Sequence, residues 1–321
     1  MLIDGLQCGH FDRAVLEELQ RGGFSCVSPT LGFWEGAVPS LDEIARWRDL
    51  ERDCADIMLI VRKADDVLTA VESGRVGILL GFQNSALLEG RIRFVELFAE
   101  LGVRVIQLTY NNQNELGGSC YEEEDSGLAR FGREVIREMN RCGVVVDLSH
   151  VGDRTSLQAI EWSEKPVAIS HANAAALFAH KRNKSNDVLK ALAARGGVIG
   201  CATYRNITPP EACASVDGWC EMVASTVDIV GIDHVGIGTD EGHNNTVADL
   251  NWMRTGFWTR GVDYGAGSAS KPGKVPKPDW LPRTGALSDV REGFARVGFS
   301  TEEREKLLGG NWLRLYRSVF G

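Results

Sequence analysis

Positive charge is short in this chain. The 321 residues hold 35 Lys and Arg against 44 Asp and Glu, a formal net charge of −9. No basic stretch offsets that deficit, so phosphate neutralisation, and nucleic acid as a partner, is excluded. Long apolar runs are also missing. The longest, at 76–82 and 197–201, fall far short of the ~20 residues that a membrane helix needs, so no membrane partner is expected. The first five residues carry no basic segment ahead of their apolar ones, which argues against a signal peptide. None of the eight cysteines forms a C-x-x-C pair. They are expected to be reduced, mostly buried thiols of a cytoplasmic protein. There is no G-x-S-x-G elbow for a serine triad. The glycines of 235–240 lack the third glycine and following helix of a dinucleotide loop.

What is present is a repeat of pattern. Eight short runs, apolar on successive residues, fall at 2–8, 24–31, 76–83, 104–110, 144–150, 167–171, 198–204 and 235–240. Continuous apolarity marks strands buried on both faces, as in a parallel sheet. Helical patterns separate them, among them 94–101 and 131–141. A long helix is expected over 41–61, with Ser40 as N-cap and Glu43 completing a capping box. Glycines at 74, 102, 143, 196 and 231 stand where helices end before the next strand. Strand, helix, glycine, strand, eight times over, is the grammar of a (β/α)8 TIM-like barrel. An open doubly wound sheet is the alternative.

The whole chain, 1–321, reads as a single barrel domain. Two stretches depart from the repeat. Residues 111–127 are polar and read as a solvated loop. Residues 251–284 form a long, aromatic-rich loop after the last strand, expected to be a lid over the site or an oligomer contact.

In such a barrel the site is built at the C-terminal strand ends. Those ends are Cys8, Gln83, Tyr110, His150, His171, Tyr204 and Asp240. Two imidazoles and a carboxylate from separate strands are good ligands for zinc or a similar ion. His10, just past the first strand, and His243, three residues past Asp240, are within reach of the same mouth. His180 reads as a surface residue, and His234 belongs to the opposite rim.

Several segments resemble the renal (membrane) dipeptidase family. They are Asp147-Leu148-Ser149-His150, Ser170-His171-Ala172-Asn173 with Arg182-Asn183, the strand ending at Asp240, and Gly310-Asn311-Trp312-Leu313-Arg314. The opening Ile3-Asp4-Gly5 and the run Gln107-Leu108-Thr109-Tyr110-Asn111 align as well. The resemblance implies a metal-dependent barrel hydrolase, usually a homodimer, acting on a small-molecule substrate. It implies two zinc ions, with His150 and His171 holding the second. It also implies Arg182 and Tyr204 on the substrate carboxylate and Asp240 handling the proton. The chain departs from the family where the first zinc belongs. The H-x-D pair is Leu6-Gln7-Cys8, the bridging glutamate is Gln83, and the strand-four histidine is Tyr110. A neutral amide cannot offset the repulsion of two dications, so one zinc, or none, is expected.

The function expected is hydrolysis of an amide in a small carboxylate-bearing substrate, a dipeptide or a modified amino acid. Asp240 and Tyr110 are the candidate catalytic groups. Arg182, Tyr204, Gln83 and Asn111 are candidate substrate contacts, and His150 and His171 the metal ligands. The alternatives are metal-free chemistry on a small metabolite, with Cys8 as the thiol to test, or a binding protein without turnover.

Overall fold

The computed structural model describes residues 1–257 and 273–321. Its strands are β1 (Ile3–Gly9), β2 (Cys26–Pro29), β3 (Met58–Ile60), β4 (Val76–Ile78), β5 (Gly81–Phe82), β6 (Val105–Gln107), β7 (Val145–Asp147), β8 (Ala168–Ala172), β9 (Val198–Cys201), β10 (Val235–Ile237) and β11 (Glu241–His243). All pair in parallel, in the order β3-β4-β2-β1-β10-β9-β8-β7-β6-β5, with β11 beside β1. β4 and β5 are two parts of one strand, broken at Leu79-Leu80. The first part pairs with β2 and the second with β6, and Thr30 bridges Gly81. The ring therefore closes through β1, β2, β4–β5, β6, β7, β8, β9 and β10, a TIM-like (β/α)8 barrel. Each ring strand coincides with one of the eight runs read from the sequence.

Side chains alternate along these strands. Val27, Ile106, Val146, Ile169 and Ile199 face outward into the large core shared with the surrounding helices. Their neighbours Cys26, Val105, Val145, Ala168 and Val198 face inward, onto the C-terminal helix Asn311–Phe320. That helix plugs the N-terminal end of the barrel. Trp312 is buried there, and its Nε1 donates to the Ile237 carbonyl at 2.9 Å. Gly236 has to be glycine for this, since a Cβ would lie 2.6 Å from the indole nitrogen. A Cβ on Gly238 would fall within 1.8 Å of the Ser170 carbonyl oxygen. These glycines serve close packing inside the barrel.

The helix expected over 41–61 is corrected. It runs Ala37–Asp53, and 58–60 is β3. Ser40 is not the cap: its buried Oγ has no partner, and Glu43 pairs with Arg46. The helix starts earlier because the Glu89 carboxylate, far along the chain, accepts from the Ala37 N–H at 2.8 Å. The 111–127 stretch is more than a solvated loop. Leu116 and Ser119 are buried, and Asp125 accepts from the Thr155 N–H at 2.8 Å in the first turn of the helix Asp153–Trp162. All eight cysteines are free thiols, and among the described residues no helix is long and apolar enough to cross a membrane.

Trp312→Ala should cost about 3–5 kcal/mol of stability through the cavity it leaves, read as a lower denaturation midpoint. An unchanged midpoint would remove the C-terminal helix from the list of structural supports.

Candidate active site

The C-terminal strand ends open into one cavity of about 300 Å3. It is lined by Cys8, Gln83, Tyr110, Asn111, His150, Arg182, Tyr204 and Asp240, with Phe33, Leu250 and Met253 on a further wall.

His150 lines the cavity and meets His171, which is fully buried, with the two Nε2 atoms 3.0 Å apart. Their other nitrogens are committed. Asn111 Oδ1 lies 2.6 Å from His150 Nδ1, which donates to it. Ser170 Oγ donates to the Asp147 carboxylate at 2.6 Å, so its lone pair accepts from His171 Nδ1 at 2.8 Å. Both rings thus carry the Nδ1–H tautomer, and two Nε2 lone pairs confront each other. Protonation does not relieve this, because burial, and after it the Arg182 charge, pushes both imidazoles well below their ordinary pKa.

Asp147 is the anchor behind them. Besides Ser170 Oγ, its carboxylate accepts from the Ser170 N–H (2.8 Å), the Ser149 N–H (3.1 Å) and Ser149 Oγ (2.7 Å). One buried carboxylate thereby locks the ends of β7 and β8. Asp4 plays the same part between β1 and β10. It accepts from Gln7 Nε2 (2.8 Å), the Thr239 N–H (2.8 Å) and Thr239 Oγ1 (2.6 Å), with its pKa raised to about 6 by burial.

Thr239 leads directly into Asp240, whose backbone is left-handed at φ +59. Asn111, on the other side of the cavity, has φ +58. Such conformations collect at functional sites, where they aim a side chain. The Asp240 carboxylate has no hydrogen-bond partner among the described residues, and burial raises its pKa to about 7 against the lowering effect of Arg182. Arg182 is buried and donates to the Ser149 and His171 carbonyls, the latter at 3.0 Å. Lys184, fully buried beside it, donates to the Val151 carbonyl, and burial lowers its pKa to about 8.

Tyr110 stacks on His150 with ring centroids 4.2 Å apart. Burial raises its pKa well above the ordinary phenol value, so it keeps its proton. Tyr204 is pushed up to about 12, and its hydroxyl accepts from Asn206 Nδ2 at 3.0 Å. Gln83 donates to Thr30 Oγ1 at 2.7 Å through Nε2. Cys8 is held as a neutral thiol by burial and the nearby Asp240 charge, the opposite of an activated nucleophile.

Two expected site residues, His10 and His243, lie outside the cavity. His10 is exposed and bonds Asp249 at 3.1 Å, outside the cavity. His243 is buried against Phe11, its Nε2 2.9 Å from Gln7 Oε1, and it does not line the cavity. Asn111 lines the cavity, with its side-chain oxygen on His150 Nδ1. His180 is half-buried, its Nδ1 accepting from the Arg182 N–H at 3.1 Å; His234 lies toward the opposite rim, as read.

Residues not anticipated are Phe33, Met253, Arg254 and the ion pair of Glu241 with Lys277. Phe33 lies two residues beyond the second strand run, so reading loops as well as strand ends would have found it. The described parts of 251–284 do reach the cavity, through Met253, Arg254, Lys274, Pro276 and Leu281. Residues 258–272 of that loop lie outside the described residues.

The chain belongs to the membrane dipeptidase family (peptidase family M19), whose model matches residues 20–255. It is 35% identical to a solved amidohydrolase from Pseudomonas aeruginosa, with a TM-score of 0.94 over 100% of this chain and 97% of that one. Dipeptidase tcpJ of Claviceps purpurea is 31% identical over 270 residues, 83% of this chain and 56% of that protein. A metallo peptidase from Rhodobacter sphaeroides, solved with a phosphinate mimic of the dipeptide L-Ala-D-Ala, shares the fold at 17% identity and a TM-score of 0.80, over 99% of each chain. The matches span 40 to 66% of the length of the curated relatives.

The family implies a metal cofactor, and the donor chemistry here fits one ion. Two unprotonated Nε2 atoms facing each other at 3.0 Å are spaced as two ligands of a single cation are, and each ring is oriented by an acceptor on Nδ1. A second ion finds no such set. Leu6 is apolar and Cys8 is a neutral thiol, so neither offers an anion; among the described residues no group of three or more His, Cys, Asp or Glu gathers, and His150 and His171 stand as a pair.

The raised Asp240 pKa carries a stability cost of definite sign. Near pH 4 the unfolded chain begins to release this proton, while the folded protein keeps it until about 7. Folded stability therefore falls over that interval. Asp240→Asn, free of metal, should melt higher than the parent at pH 8, with the gap closing toward pH 4. Equal melting temperatures across the whole range would contradict the raised pKa.

Proposed function

We propose that the chain is a hydrolase of amide bonds in small carboxylate-bearing substrates, dipeptides or N-acylated amino acids, working with one zinc ion rather than two. The observation that carries this reading is the pair of facing Nε2 lone pairs, one of them on His150, which lines a cavity with Arg182 and Asp240. His150 and His171 would hold the zinc ion, which when bound would supply Lewis acidity to the scissile carbonyl and to the attacking water.

The chain's own groups do the rest. Arg182 is fixed by the Ser149 and His171 carbonyls and keeps further N–H donors for the substrate carboxylate. Asp240 takes the proton of the attacking water at its carboxylate and delivers it to the leaving nitrogen. A pKa near 7 suits a group that must both accept and release. Tyr110 remains protonated and donates its hydroxyl to the developing oxyanion. Tyr204 accepts from Asn206, which leaves its own proton for the substrate. The Gln83 carbonyl serves as acceptor for a substrate N–H. The helix Val247–Thr255 and the segment 273–281 form the lid side of the cavity, and the working form is a homodimer.

Chelation should abolish turnover of N-acetyl amino acids or dipeptides, and about one equivalent of zinc should restore it. Replacing His150 or His171 by Ala should lower kcat at least ~1000-fold, since the metal's transition-state stabilisation is lost. Undiminished turnover in protein shown by elemental analysis to be metal-free would overturn the reading.

Arg182→Ala should act mainly on KM, raising it roughly 10–100-fold for loss of a charged hydrogen bond. An unchanged KM would take the carboxylate away from Arg182.

A further inference from the structure

One wall of the cavity is apolar. Cys8, Phe33, Trp34 and Tyr110 form a buried cluster of their own, with Trp252 and Met253 packed against it. Tyr110 is its border. One face of the ring lies on His150, while Phe33 approaches at 5.0 Å and Trp34 edge-on at 5.4 Å between ring centroids. The wall is built, not incidental. Trp34 Nε1 donates to the Met253 carbonyl at 3.2 Å, and Trp252 Nε1 donates to Glu35. Glu35 also accepts from the Phe33 and Trp34 N–H groups, at 2.6 and 2.9 Å. The loop after β2 and the helix Val247–Thr255 are thereby tied together, and Phe33 and Met253 are presented to the cavity without further ordering on binding.

The side chains of Cys8, Phe33, Tyr110 and Met253 themselves carry no charge, the Cys8 thiol being neutral. An apolar group there loses water on one side and gains contact with aromatic rings and a thioether on the other. The geometry points to a specificity subsite: the wall of Cys8, Phe33, Tyr110 and Met253 takes an aromatic or branched-alkyl side chain of the substrate. This rests on the proposed carboxylate-binding reading and narrows it to amino-acid derivatives with a large apolar side chain.

The test is calorimetric binding of N-acetyl-L-phenylalanine and N-acetyl-L-alanine to the full chain after chelation, so that turnover does not intervene. The phenylalanine derivative should bind about 30-fold more tightly, the value of burying a benzyl in place of a methyl group. Phe33→Ala and, separately, Met253→Ala should each cut that ratio to about fivefold or less, with N-acetyl-L-alanine affinity unchanged. Equal affinities of the two ligands for the unmodified protein would overturn the subsite and leave the carboxylate reading standing. A preference that survives both substitutions would place the side chain elsewhere and also overturn it. Binding of neither ligand at millimolar concentration would overturn the carboxylate reading and the subsite with it.

Discussion

Two imidazole lone pairs held 3.0 Å apart organise this molecule's chemistry. In isolation the arrangement is repulsive, and it persists because both rings are gripped from behind. Asn111 fixes one, and Ser170, itself fixed by Asp147, fixes the other. The Asp147 carboxylate sits on β7 and takes four hydrogen bonds from Ser149 and Ser170. The same contacts that align two strands of the barrel thus orient the His171 ring. Buried charge is costly unless it is fully hydrogen-bonded, and here that requirement makes the strand ends rigid.

The other half of the site is defined by replacement. Where the family resemblance implies a histidine, an aspartate and a bridging glutamate, the chain has Leu6, Cys8 and Gln83, and Cys8 packs in a cluster with Phe33, Trp34 and Tyr110. One cavity therefore has a polar side, with Arg182 and Asp240, and an apolar side. Tyr110 joins the two, with its ring shared and its hydroxyl kept protonated. Function sits in such substitutions and not in the barrel, which tolerates many chemistries.

Most of the barrel was legible because its logic is local. A strand buried on both faces is continuously apolar, a helix end wants glycine, and a closed ring turns every strand end to one rim. That is why His150, His171, Gln83, Tyr110, Tyr204 and Asp240, scattered along the chain, could be expected at one rim; all but His171 line one cavity, and His171 is buried against His150. What escaped depends on contacts between distant segments. Ser40 looked like a helix cap, but Glu89, brought in by the fold, satisfies an earlier N–H. His243 looked close to Asp240 in sequence, yet β11 pairs with β1 and turns that ring toward Gln7 and Phe11. The aromatic wall was invisible because it joins residues 33–35 to 252–253, and no period or spacing records such a pairing.

The central claim is a mononuclear centre on two histidines, and X-ray absorption at the zinc edge of the loaded protein tests it most directly. The account predicts two imidazole ligands, with light oxygen scatterers completing the shell and no metal–metal vector. A second metal at roughly 3.5–4 Å, the spacing of two-metal sites, would contradict it.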